Sequence, residues 1–346
     1  MSYLLRLRQF INHPESLDMS QEWVMLDKST HPAILVYGKD LSIALLKSDK
    51  VAPTNFIEYY KKLLQLSNQN LPTIDAIFMC SPVLLHGDEH SQSRKTFSKK
   101  YKLIEENLQN WLPSFTSEFF SLVPGDEEIN PIKLVANYIA GIFRTILATD
   151  LGVSVSEIPS LPPKLFFLTH PLAKVIDVED RLRALKEYLE KTMLHQGRDL
   201  SEVWILLAII VAGFEALEGT LMYGLTKEPA SRGTWKQKSL LREAAAVNFI
   251  GRRALENFSI GNLTISKNQE IYVCPTLVHR YMDAKNLANI NNSFSFGKGA
   301  HTCIGQVIST AVINSFFAEW SLFVERHPKI AAVKYTRDFN LTFTLR

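Results

Sequence analysis

The residues best suited to chemistry lie in one stretch near the end of this chain, Phe296-Gly297-Lys298-Gly299-Ala300-His301-Thr302-Cys303-Ile304-Gly305. A helical pattern follows it and continues through Trp320, which puts Cys303 at a helix N-terminus. There the helix dipole and the free backbone N–H groups favour a negative sulfur. A thiolate held in this way is a metal ligand, and the same N–H groups tune the metal's potential. Gly297 and Gly299 let the backbone come close to a flat partner, and Phe296 can shield the sulfur from water. The bland alternative is a buried free cysteine in a glycine turn. A dinucleotide loop is excluded, because the third glycine and a framing strand with its acidic residue are missing.

Most of the elements that must position this loop have helical periodicity. Ile132, Val135, Ile139, Ile142 and Ile146 recur at three- and four-residue steps, as do Leu182, Leu185, Leu189 and Met193. Residues 201–224 are apolar on nearly every side in their first half, as expected of a central helix surrounded by others. Strand-like alternation is confined to residues 258–265, 270–274 and 333–345. The expected fold is mainly α with small β-sheets. No repeat with a period of 20 to 50 residues is present, which sets solenoids and propellers aside.

With 346 residues, 46% hydrophobic and 21% charged, the chain is long enough and apolar enough for a large core. No linker divides it, and Pro159, Pro162 and Pro163 sit among apolar residues as a turn would, so one domain over residues 1–346 is expected. A formal charge of +3 is too small for a nucleic-acid partner. The N-terminus has no apolar targeting core, and the apolar run 203–214 is too short to cross a bilayer, so a cytoplasmic protein without a membrane partner is expected. Cys80, Cys274 and Cys303 stand apart from one another and form no C-x-x-C pair or disulfide framework, so reduced thiols are expected.

The cysteine stretch is similar at every fixed position to the haem-binding signature of the cytochrome P450 superfamily, F-x-x-G-x-x-x-C-x-G, and to its bacterial form F-G-x-G-x-H-x-C-x-G. The resemblance runs from about Trp23 to the end, to a soluble, bacterial-type member that is short and atypical. It implies haem b between a central long helix and the cysteine-loop helix, Cys303 as the axial ligand of iron, and Phe296, Gly297, His301 and Gly305 around it. His90 and Arg94, four residues apart and so on one helical face, resemble the His-x-x-x-Arg of the helix that crosses the haem. Arg252 resembles the strand arginine that meets a propionate, for which a guanidinium fork is suited, and His301 is a further donor.

Val211-Ala212-Gly213-Phe214-Glu215-Ala216 resembles the family's oxygen-binding A-G-x-D/E-T. This makes Ala212, Gly213, Glu215 and Ala216 the catalytic positions, with Ala216 where the family has a threonine. In the family that alcohol and the acid beside it relay protons. Helix packing is the other reading of Gly213. The family's E-x-x-R aligns with Ser239-Leu240-Leu241-Arg242, so the arginine lacks its glutamate and needs another acceptor. Residues 279–296 are shorter than the family's meander. The resemblance also implies a substrate pocket walled by residues 71–85, by Phe214, and by residues 246–250 with Val247, Asn248 and Phe249. Asn248 is its one polar group.

The activity implied is a monooxygenase that acts on a small organic, natural-product type of substrate with dioxygen and electrons from a ferredoxin- or flavodoxin-type donor. Arg94, Lys95, Lys99, Lys100 and Lys102 would offer such a donor a basic face, or would merely solubilise a helix. With Ala216 in the relay position, protons would pass by Glu215, water and a hydroxyl of the substrate. Two other readings stay open: a peroxide-using or isomerase-type haem-thiolate enzyme, and a degenerate, non-catalytic helper protein.

Overall fold

The computed structural model describes residues 3–27, 33–54, 70–124, 128–161, 172–227, 237–244, 247–287, 293–327, 329–337 and 341–345. The chain forms two compact units interleaved in sequence. The first gathers residues 1–55, 223–303 and 333–344; the second gathers residues 56–222 and 304–332 with the last two residues. Neither unit is a continuous stretch, which is why no linker is visible in the sequence. Of the three prolines read as a turn, Pro162 and Pro163 lie outside the described residues.

The first unit is built on a five-stranded sheet of β1 (Trp23–Asp27), β2 (Ala33–Val36), β3 (Val51–Pro53), β4 (Ile250–Ala254) and β7 (Glu270–Val273), in the order β1-β2-β7-β4-β3. Among the described residues of this sheet, only β2 and β7 pair in parallel. Ile34, Val36, Ala254, Ile271 and Val273 face one core, together with Leu41, Leu45, Val278 and Phe294. Ala33, Leu35 and Tyr272 face the other, together with Leu7, Phe10, Leu26 and Phe249. Every residue of β2 is buried, so its sequence shows no polar alternation and the strand is missed by that criterion. The expected strands at 258–265 and 333–345 are hairpins, β5 (Phe258–Ile260) with β6 (Leu263–Ile265) and β8 (Val333–Arg337) with β9 (Leu341–Leu345). Gly261, with φ of 57°, supplies the left-handed residue that the two-residue turn between β5 and β6 requires.

The second unit is helical. The periodic runs lie in the helices Pro131–Leu151 and Leu172–His195, and Leu182, Leu185, Leu189 and Met193 are fully buried. The Asn130 carboxamide caps the first of these by accepting from the Ile132 and Lys133 amides, and Gly152 ends it in the left-handed region. A chain of hydroxyls joins three helices: Ser315 donates to Thr116 at 2.7 Å, and the Thr116 and Tyr138 hydroxyls bond at 2.9 Å. Around it Phe120, Tyr138, Phe316, Trp320 and Phe323 pack ring against ring.

The helix that carries the apolar run spans Ser201–Lys227, because Glu215 ends the run but not the helix. It is therefore longer than the run implied. By length and composition it is one of three described helices apolar enough to cross a membrane, with Pro131–Leu151 and Gln306–Arg326. In its case 78% of the most apolar window is buried inside the protein, as a helix surrounded by others requires.

Lys100 is not part of a basic surface. It is 6% exposed on the helix Gly87–Ser121, and its Nζ lies 2.6 Å from Asp150 Oδ1 and 2.7 Å from Glu202 Oε2. Arg198 closes the ring with its Nη2 at 2.9 Å from Asp150 Oδ2 and 2.6 Å from Glu202 Oε2. Burial pushes the Glu202 carboxyl up, but hydrogen bonds from Lys100 and Arg198 outweigh it and hold the carboxyl below its ordinary value. Removing one member leaves a buried charge without its partner. Lys100→Met is expected to lower stability by about 3 kcal/mol, read as a shift in the urea midpoint with an unchanged slope.

Candidate functional site

In the first unit the Cys303 loop is shaped by its backbone. The Gly297 amide donates to the Phe294 carbonyl at 2.9 Å, the Thr302 amide to the Gly299 carbonyl at 3.1 Å, and the Cys303 amide to the Phe296 carbonyl at 2.8 Å. Gly297 and Gly299 have φ of 70° and 77°. At Gly299 a Cβ would also stand 2.2 Å from the Leu46 carbonyl oxygen, so the loop is pressed against the end of the helix Lys39–Lys47 and only glycine fits. Cys303 is exposed, which removes the reading of a buried free cysteine. Ile304 and Gly305 form a turn before the helix Gln306–Arg326, so the sulfur stands just ahead of that helix rather than within its first turn. Gly305 is itself buried, and a Cβ there would stand 3.1 Å from the Tyr101 ring. His301 and Phe296 are half-buried in the loop.

Arg252 lies in the middle of β4, opposite Pro53 and Ile271, and is 7% exposed. Its Nη1 donates to the Gly251 carbonyl at 2.8 Å, and among the described residues no carboxylate reaches its guanidinium. Burial pulls its pKa down to about 10. A buried cation without a counter-charge is costly, and an anion supplied from outside the chain would remove the cost. In the second unit His90 is buried and Arg94 half-buried, one turn apart on the helix Gly87–Ser121. The spacing puts both on one face, as expected.

The central helix has a window. From Ile205 to Met222 every residue is buried except Ala212, Gly213, Glu215 and Ala216, which share one face. These are the positions that the sequence resemblance selected. Gly213 also has a packing role, since a Cβ there would stand 2.6 Å from the Phe143 ring. The next alcohol along the helix, Thr220, donates to the Ala216 carbonyl at 2.9 Å.

The arginine left without its glutamate has found other acceptors. Arg242, on the helix Gln237–Glu243, places Nη2 2.5 Å from Asp283 Oδ1 and 3.4 Å from the His279 carbonyl oxygen. His279 and Asp283 lie one turn apart on the helix Pro275–Ala284. His279 is 2% exposed and uses both ring nitrogens: Nδ1 is 2.8 Å from the Arg242 carbonyl oxygen, and Nε2 accepts the Phe294 amide at 2.8 Å. Sequence reasoning missed both residues. Asp283 stands 41 positions from Arg242, and no spacing rule links them.

The expected substrate contacts are largely closed. Phe214 is 1% exposed and stacks on Phe143, while Asn248 and Phe249 are buried, Phe249 against Tyr272 in the sheet core. Val247 is exposed, and Ala246 lies outside the described residues. In residues 71–85, Leu71, Ile74 and Ile77 point into the protein. The Thr73 and Ile74 amides at the start of the helix Pro72–Cys80 donate to the two oxygens of buried Glu179, each at 2.9 Å.

No family model matches the sequence, and no curated protein matches it. Solved structures match over nearly the whole chain. P450BioI, in a complex with hexadec-9Z-enoic acid ligated acyl carrier protein, is 16% identical, with a TM-score of 0.70 over 98% of each chain. The bacillaene polyketide synthase cytochrome P450 of Bacillus subtilis is also 16% identical, with a TM-score of 0.70 over 99% of this chain and 95% of that one. The cytochrome P450 CxnD, for C–S bond formation in chuangxinmycin biosynthesis, is 18% identical, with a TM-score of 0.64 over 92% and 88%. The chain has the cytochrome P450 fold, mainly helical with small sheets.

Burial, ahead of the charges of Arg242 and Lys298, pulls the His279 pKa down to about 4, so the native ring stays neutral while the unfolded ring titrates near 6.5. The unfolded chain then binds the proton first. This share of stability is fully present above pH 6.5 and is lost as pH falls through about 4. The loss is on the order of 3 kcal/mol. Unfolding free energies between pH 7 and 4 should show this slope, and His279→Gln should reduce it.

Proposed function

We propose that the chain is a haem-thiolate monooxygenase, a single cytoplasmic haem domain that oxidises a small organic substrate with dioxygen and electrons from a ferredoxin- or flavodoxin-type donor. The observation that carries this is the exposed Cys303, held in a glycine-shaped loop that closes on the Phe296 carbonyl. Buried Arg252, a cation that no carboxylate reaches among the described residues, fits a haem propionate. Cys303 would ligate the iron, with Arg94, Arg252, His90 and His301 toward the propionates. When bound, haem with a thiolate ligand supplies dioxygen activation, because electron donation from sulfur favours O–O cleavage.

With haem bound, Phe296 at the mouth of the loop would help shield the sulfur from water, and Gly297 and Gly299 would let the backbone approach the flat group. On the central helix Glu215 can hold a proton at its carboxyl within the window, while Ala216 offers no hydroxyl. Thr220 does not replace that hydroxyl, since it donates to the Ala216 carbonyl. A hydroxyl of the substrate would complete the relay from Glu215 through water. For an electron donor the helix Gly87–Ser121 would offer exposed Lys95, Lys99 and Lys102 with half-buried Arg94, while Lys100 is withdrawn into its ion network.

The ferrous carbon monoxide complex of the purified protein should show the red-shifted Soret band of thiolate ligation, and Cys303→Ser should abolish it; a band that survives in this variant sinks the proposal. Arg94→Ala and Arg252→Ala should each speed haem loss to an acceptor protein about tenfold or more, from charge-assisted bonds of about 1.5–3 kcal/mol. Removing the substrate hydroxyl should cost turnover by about 10²–10⁴-fold and raise peroxide release, with partial rescue by Ala216→Thr. Efficient coupling without that hydroxyl would instead favour a peroxide-driven cycle.

A further inference from the structure

We propose that His279 is a positioning residue for the Cys303 loop and does in this chain the work that the absent glutamate at Ser239 would otherwise share with Arg242. The inference rests on Cys303 being the thiolate ligand.

The argument starts from hydrogen-bond polarity. The Arg242 carbonyl can only accept, so His279 Nδ1 must carry the proton; the Phe294 amide can only donate, so Nε2 must present its lone pair. One tautomer of a neutral ring satisfies both bonds. A protonated ring would drive a second N–H against the Phe294 amide.

His279 thus joins three segments of the first unit. It ties the helix Gln237–Glu243 to the helix Pro275–Ala284, and ties both to Phe294, a fully buried residue at the entry to the loop. From Phe294 the connection runs on through the backbone: the Phe294 carbonyl accepts the Gly297 amide, and the Phe296 carbonyl accepts the Cys303 amide. The Ser295 hydroxyl donates to the Leu241 carbonyl, so the same short helix grips the loop entry a second time. Asp283 holds Arg242 from the next turn beyond His279, and this sets where the His279 ring sits. Lys298 lies over the Phe294 ring at 5.5 Å, and Glu243 and Arg280 line the same cavity as Arg242, His279 and Asp283. The sulfur is exposed, and backbone anchors of this kind fix the segment that carries it.

The test compares the holoprotein with His279→Phe, which keeps the ring and loses both bonds, and with His279→Gln, whose amide can donate and accept. Two readouts are taken at equal distance from each variant's unfolding midpoint. One is the rate at which the ferrous carbon monoxide complex loses its thiolate band in mild urea, and the other is hydrogen exchange at the Phe294 and Cys303 amides. His279→Phe should lose the band, and exchange both amides, about tenfold faster, the equivalent of one buried hydrogen bond. His279→Gln should recover most of the difference. A Phe variant that matches the unmodified protein in both readouts overturns the proposal, while the thiolate band of the unmodified protein still supports Cys303 as ligand. If the unmodified protein lacks that band, the ligand reading has failed and the exchange rates alone decide whether His279 holds the loop. If His279→Phe does not fold, His279→Gln is compared with His279→Asn, whose amide is too short to span both partners; equal exchange in these two overturns the proposal.

Discussion

The Cys303 amide reaches back to the Phe296 carbonyl, and the placement of an exposed cysteine depends on that closure. A cysteine on a mobile surface loop would be one thiol among several conformers. Here two left-handed glycines, a contact with the Leu46 carbonyl that excludes any side chain, and the closing hydrogen bond leave the loop little room to move. The sulfur stays exposed while its own backbone is held. A ligand needs both conditions, and a core cysteine such as Cys274 meets only the second.

Charge is handled differently in the two units. In the second, Lys100, Asp150, Arg198 and Glu202 pair with one another, so each charge has its counter-charge within the chain. In the first, Arg252 is as buried as Lys100, but among the described residues its guanidinium meets only the Gly251 carbonyl. The contrast is what sets Arg252 apart as the proposed partner of an anion.

The departures from the family pattern are also resolved differently. The glutamate missing at Ser239 is compensated, since Asp283 takes the guanidinium and His279 takes up backbone groups beside it. The hydroxyl missing at Ala216 is not compensated by Thr220, whose hydroxyl serves the Ala216 carbonyl. The first change alters scaffolding, where any acceptor of the right polarity will do. The second falls on the face proposed to carry the proton relay, where a hydroxyl would have to stand at one place.

The helices with strong periodicity and the loop around Cys303 were legible in the sequence, because a local pattern is enough to produce them: apolar residues every third or fourth position, and glycines where the backbone must turn left-handed. The motif resemblance singled out Ala212, Gly213, Glu215 and Ala216, and these are the residues of 205–222 that are not buried. Tertiary structure alone decided what depends on distant partners. β2 is buried on both faces and shows no alternation, Lys100 reads as a surface charge until Asp150 and Glu202 meet it, and Phe214 reads as a pocket wall until Phe143 covers it. The roles of Asp283 and His279 arise only when the chain brings them to Arg242, because a hydrogen-bond partner is set by position in space, which sequence spacing does not record.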